Sequence, residues 1–206
     1  MGQYYLPVLG EPGADVGDFT VKTFAISHDF GSGLKLMEHS YIGNELLNRI
    51  EKELLSKPRP VVWAGDYADE EPNGATLYSQ CEEGVGIVDG DVKVLGLQLM
   101  PPNPDPGWGN SCGEVRAEGL DDGYVVNHTK DEYCRLHPEL DDAGDWAGWV
   151  HPLSLLTADG NGRGGGDYRG ASSVVGRWAR DVISVERADY DITGLDEIYA
   201  DFQDDA

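Results

Sequence analysis

An α+β domain is the fold class that the sequence predicts, and three observations predict it. Short apolar or alternating runs of strand character recur along the whole chain. One segment, about 44–56, carries a clear helical stripe. The chain's 28 glycines and 11 prolines break everything else into short pieces. Together they predict a single domain over 1–206, built on a mostly antiparallel sheet of short strands. One long amphipathic helix and one or two short C-terminal helices are expected beside it.

In chain order, Gln3 to Leu9 is aromatic and branched and reads as a strand, with Pro7 favouring a sheet edge. Residues 10–18 are a Gly/Pro/Asp loop. Thr20 to Ile26 alternates apolar and polar and predicts a second strand. In the helix, Leu46, Leu47, Ile50, Leu54 and Leu55 recur at three- and four-residue spacing. Asn44 caps its start, Glu45 meets the positive end of its dipole, and Pro58 stops it. Pro60 to Ala64 is a short buried strand.

Val85 to Ile87 and Val92 to Leu99 flank an Asp89-Gly90 hairpin signal. Residues 100–122 are Pro/Gly-rich and read as an insertion or long surface loop. Tyr124 to Leu136 reads as a hairpin turning at 128–131. Ser172 or Ser173 starts an expected short helix with Val174, Val175 and Trp178 inward. Val182 to Val185 is a strand. A last short helix is expected over Leu195, Ile198, Tyr199 and Phe202.

The charge is the strongest global signal. With 38 acidic against 15 basic residues, the formal net charge is -23. Phosphates and anionic membrane surfaces are repelled by such a field, which disfavours direct nucleic-acid or membrane binding. The field suits a basic protein partner, divalent cations, or mimicry of a nucleic-acid surface. No apolar stretch is long enough to span a bilayer. The first residues lack the pattern of a signal peptide, and Leu6 stands where a myristoylation signal needs Ser or Thr. A cytoplasmic location is expected. Cys81, Cys112 and Cys134 are odd in number and irregularly spaced, so no disulfide framework is expected.

The densest candidate for function runs from Leu155 to Gly170. Asp159, Asn161 and Asp167 match three positions of a calcium-binding EF-hand loop. Arg163 and Gly170 stand where two ligands belong, so a complete EF-hand is rejected. The backbone from Gly162 to Gly166, with Arg163, suits a small anionic ligand. It lacks the lysine and Ser/Thr of a P-loop. Asp159, Asn161, Arg163, Asp167 and Arg169 are the candidate ligand-binding residues. A turn whose Arg163, Asp167 and Arg169 pair locally is the structural alternative.

His28-Asp29 and Glu38-His39 are candidate acid/base units. His39 and Asp167 are the catalytic candidates of an enzymatic reading. Cys134 and His137 have a ligand-like spacing, but no second close pair exists, so packed cysteines and no metal or cofactor are expected. Trp63 and Trp178 belong to apolar runs and are expected in the core. Trp108, Trp146 and Trp149 lie in polar surroundings and suit either a contact surface or the packing of a long loop.

Four motifs add a resemblance. Met1 to Tyr5 (MGQYY), Phe30 to Ser40 (FGSGLKLMEHS), Trp63 to Asp69 (WAGDYAD) and Leu155 to Gly170 (LLTADGNGRGGGDYRG) resemble a family of small uncharacterised proteins. That family is spread over actinobacteria, bacteriophages and large DNA viruses. Residues 124–136 resemble its VN-x-T/D-K-x-E-Y hairpin, which lies nearer the start in the family. The chain therefore looks like an expanded or rearranged relative. The resemblance implies kinship and a phage or actinobacterial setting, not a reaction.

These readings favour an acidic interaction protein, an accessory factor engaging a basic or nucleic-acid-binding protein partner. An enzyme acting on a small phosphorylated or nucleotide-like ligand at the Gly-rich loop is the alternative. A structural virion or assembly component is the third class.

Overall fold

The structure is a computed structural model that describes residues 3–12, 19–88, 91–94, 96–105, 110–136, 150–161, 168 and 173–199. Its centre is β3 (Arg59–Gly65), buried along its whole length. The Val-Val-Trp-Ala run has no polar face to offer, and both faces of the strand are covered. Before it come β1 (Tyr5–Gly10) and β2 (Val21–Ala25). After it come β4 (Val85–Val88), β5 (Asp91–Val94), β6 (Leu97–Leu99), β7 (Tyr124–Asn127) and β8 (Glu132–Arg135). The last three are β9 (Ala158–Asp159), β10 (Val182–Glu186) and β11 (Asp196–Glu197).

β4 and β5 pair with each other, and the other strands form one nine-stranded sheet. Its order is β11-β8-β7-β10-β3-β1-β2-β6, with β9 joined to β3. Most pairings are antiparallel, and β6, β9 and β11 add in parallel. A single α+β domain results, as the strand runs and helical stripe predict.

Two-residue alternation sends side chains to opposite faces. Leu9, Val61, Trp63, Val125, Ile183 and Val185 point to one face. There they meet α1 (Glu45–Leu54) through Leu46, Leu47, Ile50 and Leu54, and α3 (Pro152–Leu156) through Leu153, Leu155 and Leu156. On the other face, Leu6, Val8, Val62 and Ala64 meet α2 (Leu77–Glu83) through Leu77, Tyr78 and Cys81. A third cluster places Ile192 and Leu195 on Tyr124, Val126 and Tyr133. Burial of each large apolar side chain is worth roughly 1.5–3 kcal/mol, so α1 is held chiefly by its stripe. Asn44 caps it as expected, accepting from the N–H of Leu46 and of Leu47.

Several elements differ from the sequence reading. Pro7 does not mark an edge, because β1 lies between β3 and β2. The ladder to β2 begins at Val8↔Phe24, one residue after the proline, so it asks no N–H of Pro7. Residues 110–122 form no regular element, and the buried Cys112, Glu114 and Leu120 anchor this loop to the core. Asn48 Nδ2 donates to the carbonyl of Glu114, and the Glu45 carboxylate accepts from Ser111, Cys112 and the Glu114 N–H.

The helix expected near 173–180 is a run of turns. Gly176 sits at φ 71°, and a Cβ there would lie 2.3 Å from the carbonyl oxygen of Ala158. Of the expected C-terminal helix, residues 191–199 are a turn and β11 instead, and Phe202 lies outside the described residues. Gly194 (φ 87°) redirects the chain, and Asp196 and Ile198 donate their N–H groups to Asp131 and Tyr133 along the free edge of β8. Two short helices went unread. α2 is announced by Thr76, which caps Ser79, and α3 by Pro152 at its first turn.

Candidate functional site

Strand directions bring the sequence motifs together at one end of the sheet. β1 and β3 are antiparallel, so the start of one meets the end of the other, Tyr5↔Gly65. β9 runs parallel to β3, with Ala64↔Asp159, and delivers Gly160 and Asn161 to the same end. Tyr4 and Asp66 are tied twice. Tyr4 N–H donates to Asp66 Oδ1 at 3.0 Å, and Asp66 N–H donates to the Tyr4 carbonyl at 3.0 Å. Gln3 Oε1 accepts from the Tyr5 hydroxyl at 2.9 Å and from the Asn161 N–H at 3.3 Å.

Arg180 fastens this end. Its N–H donates to the Val61 carbonyl, and its guanidinium holds Asp159 Oδ2 at 3.1 Å and Glu71. The same group lies 5.5 Å from the centre of the Phe19 ring. Burial lowers the Arg180 pKa, but Glu71 and Asp159 outweigh it and hold the group above its ordinary value. Its φ of 67° is left-handed, a conformation that costs a non-glycine residue on the order of 1 kcal/mol.

From Gly65 the chain enters an acidic loop. Asp69 and Glu70 are exposed, Asp66 is half-buried, and Tyr4 and Tyr67 are 41% and 51% exposed. The loop is pinned to α2. Asn73 and Gln80 exchange side-chain hydrogen bonds, and Gln80 also donates to the Ala75 carbonyl. The local field registers at Tyr78, whose phenol is pushed up to about 12 by burial and then by Glu82 and Asp66.

His39 is not at this surface. It is fully buried beneath β3. The indole N–H of Trp63 donates to its Nδ1 at 3.0 Å, so Nε2 carries the proton and donates to the Gly33 carbonyl at 2.9 Å. Burial pulls its pKa down to about 4, against the Gly33 hydrogen bond and the Glu38 charge. Both ring nitrogens are engaged inside the protein, which leaves the ring no role as a surface proton carrier. His28 is exposed, and its neighbour Asp29 accepts from Gln98 instead.

His151 heads a second buried group. Its Nδ1 accepts from the Leu153 N–H, and its Nε2 donates to Glu51 Oε1 at 3.1 Å. Arg116 grips the same carboxylate through Nε and Nη2. Burial pushes the Glu51 carboxyl up, yet His151 and Arg116 prevail and hold it below the ordinary value. Ser40 and Ser154 share a hydrogen bond nearby in sequence to these histidines. This network joins α1, α3 and residues 36–40 across the core.

The polar residues of the 124–136 hairpin also have defined tasks. Asn127 Oδ1 accepts from Thr129 and Lys130 N–H, and its Nδ2 donates to Asp181. Lys130 pairs with Asp181. Glu132 accepts from Arg177 and from the Trp178 indole. First the Arg177 hydrogen bond, and then that of Trp178, hold the Glu132 carboxyl below its ordinary value despite burial. The motif thus locks residues 177–181 against the hairpin.

Of the sequence-predicted site residues, Asp159 and Asn161 reach the sheet end. Arg163, Asp167 and Arg169 lie outside the described residues, as do His137, Trp108, Trp146 and Trp149. Cys81 packs on one face of the sheet, and Cys112 and Cys134 pack on the other. Among the described residues no group of three or more His, Cys, Asp or Glu side chains is placed to hold a metal ion. None of their helices is long and apolar enough to cross a membrane. Gln3, Tyr4, Glu71 and Arg180 escaped the sequence reading, and Gln3 and Tyr4 carried a signal as part of the MGQYY motif. Compared with known proteins, the chain matches no family model, no curated protein and no solved structure.

Proposed function

We propose that this protein is an acidic binding protein whose sheet end engages a basic segment of a partner protein. One observation carries the reading: seven of the described cations are paired with carboxylates of the same chain, while Asp69 and Glu70 at the sheet end are exposed. Arg59 pairs with Glu53, Arg116 with Glu51, Lys52 with Glu114, and Lys130 with Asp181. Arg135 pairs with Glu197, Arg177 with Glu132, and Arg180 with Glu71 and Asp159. The excess of negative charge is therefore left to the surface, where it steers a basic partner.

At the sheet end those charges come with a means of close contact. Tyr4 and Tyr67 are exposed beside Asp66, Asp69 and Glu70, and tyrosine faces attract ammonium and guanidinium groups. The pinning of the loop to α2 limits the entropy lost on binding. The motif resemblance supports an accessory factor of a phage or an actinobacterium.

Fluorescence anisotropy with a labelled lysine-rich peptide tests the reading. Binding is expected at low salt, weakening steeply as salt rises. Neutralising Asp66, Asp69 and Glu70 together is expected to weaken it more than neutralising Asp105, Glu118 and Asp189. Equal losses from the two sets, or an affinity indifferent to salt, would contradict it.

A further inference from the structure

We propose that the outer edge of β8 is a docking site for an extended segment of a partner protein, covered in cis by residues 192–198. The segment it fits reads aliphatic-x-Glu-aliphatic, the pattern of Leu195 to Ile198. The site is independent of the basic-partner reading.

The backbone of this edge accepts a strand. β11 lies last in the sheet and pairs with β8 in parallel, Asp196↔Glu132 and Glu197↔Tyr133. Asp196 N–H donates to the Asp131 carbonyl and Ile198 N–H to the Tyr133 carbonyl, both at 2.8 Å. These bonds involve main chain alone, so another extended segment can make them.

Side chains supply the selection. Leu195 and Ile192 pack on Tyr124, Val126 and Tyr133, and Ile198 packs against the main core. Between them the Glu197 carboxylate accepts from the Tyr133 hydroxyl at 2.9 Å and from Arg135 Nε at 2.7 Å. The Arg135 guanidinium is steadied by two rings, 5.5 Å from the centre of Tyr124 and 5.7 Å from that of Tyr133. A chain of net charge -23 repels a strongly acidic segment. One carboxylate, opposite Arg135, is what the edge accommodates.

The covering segment holds this edge lightly. None of residues 191–199 is buried, whereas Tyr124, Val126 and Tyr133 beneath them are. A segment with so little buried surface opens at lower free energy than the strands it covers. Its opening bares both the apolar rings and the unpaired backbone of β8, the combination that strand-adding partners use.

Amide exchange and nitrogen-edited NMR of the full chain test this. In the wild type, the Asp196 and Ile198 amides are expected to exchange faster than those of β7 and β10. A synthetic peptide of residues 191–199 is then titrated into the wild type and into Glu197→Arg, which sets two cations together and loosens the cover. The peptide is expected to shift Tyr133, Cys134 and Arg135, with roughly tenfold higher affinity for the variant. The same peptide carrying Glu197→Arg is expected to leave them unmoved. Asp196 and Ile198 amides as protected as those of β7 would overturn the proposal. So would equal affinity of the peptide for the two chains, no shifts at β8 in the variant, or equal binding of the two peptides. Shifts at Tyr133 and Arg135 that follow protein concentration alone would give the edge to a second copy and overturn the partner assignment.

Discussion

The indole N–H of Trp63 donates to Nδ1 of His39 at 3.0 Å, a bond that only an unprotonated Nδ1 can accept. The ring's folded pKa is lowered to about 4 from an ordinary 6.5, burial being the main cause. Folding therefore favours the unprotonated ring. Its contribution is fully present above pH 6.5 and is lost as pH falls from 6.5 towards 4. At about 1.4 kcal/mol per pH unit, the loss is on the order of 3 kcal/mol. Urea unfolding of the wild type and of His39→Gln across that window checks this, the variant being expected to lose its share of the acid sensitivity.

Gly176 and Gly74 both have positive φ, 71° and 80°, but only Gly176 faces an obstacle. Gly74→Ala is expected to cost about 1 kcal/mol from backbone strain alone. Gly176→Ala must also move the Ala158 carbonyl and is expected to cost clearly more. Denaturant midpoints of the two variants give the comparison.

Asn127 is fully buried and serves three hydrogen bonds of the hairpin and of Asp181. Asn127→Ala leaves those groups unpaired and is expected to lower stability by roughly 1–3 kcal/mol. Thermal or chemical denaturation measures it. Hydrogen exchange should show the loss of protection concentrated at residues 127–132 and 177–182.

The sheet and α1 are legible in the sequence because their signals are local. Two-residue alternation, the Val61-Val62-Trp63 run and the capped Leu/Ile stripe each specify their own element. Residues 173–180 are not, because Val174, Val175 and Trp178 keep a helical spacing while Gly176 takes its φ against a carbonyl on β9. The tail misleads for the same reason, since Ile192 and Leu195 answer to the β7–β8 surface. At the site, the motif segments can be named one by one. Their meeting depends on β9 pairing parallel to β3 from far along the chain, which no local pattern encodes. Glu38-His39 reads as an acid/base pair only while the burial of His39 is invisible.

Arg180 joins the acidic loop to β9 at the cost of a left-handed backbone. Arg180→Ala keeps the strain and removes the guanidinium, whereas Arg180→Gly removes both. The alanine variant is expected to be the less stable by about 1 kcal/mol. Hydrogen exchange at residues 71 and 159–161 is expected to quicken in both variants.

The central claim is that the acidic sheet end receives a basic segment, and mapping a bound lysine-rich peptide by NMR chemical shifts tests it most directly. The account predicts that the largest shifts fall on Tyr4, Asp66, Tyr67, Asp69 and Glu70, and fade together as salt is raised. Shifts spread evenly to Asp105, Glu118 and Asp189, or no shifts at low salt, would contradict it.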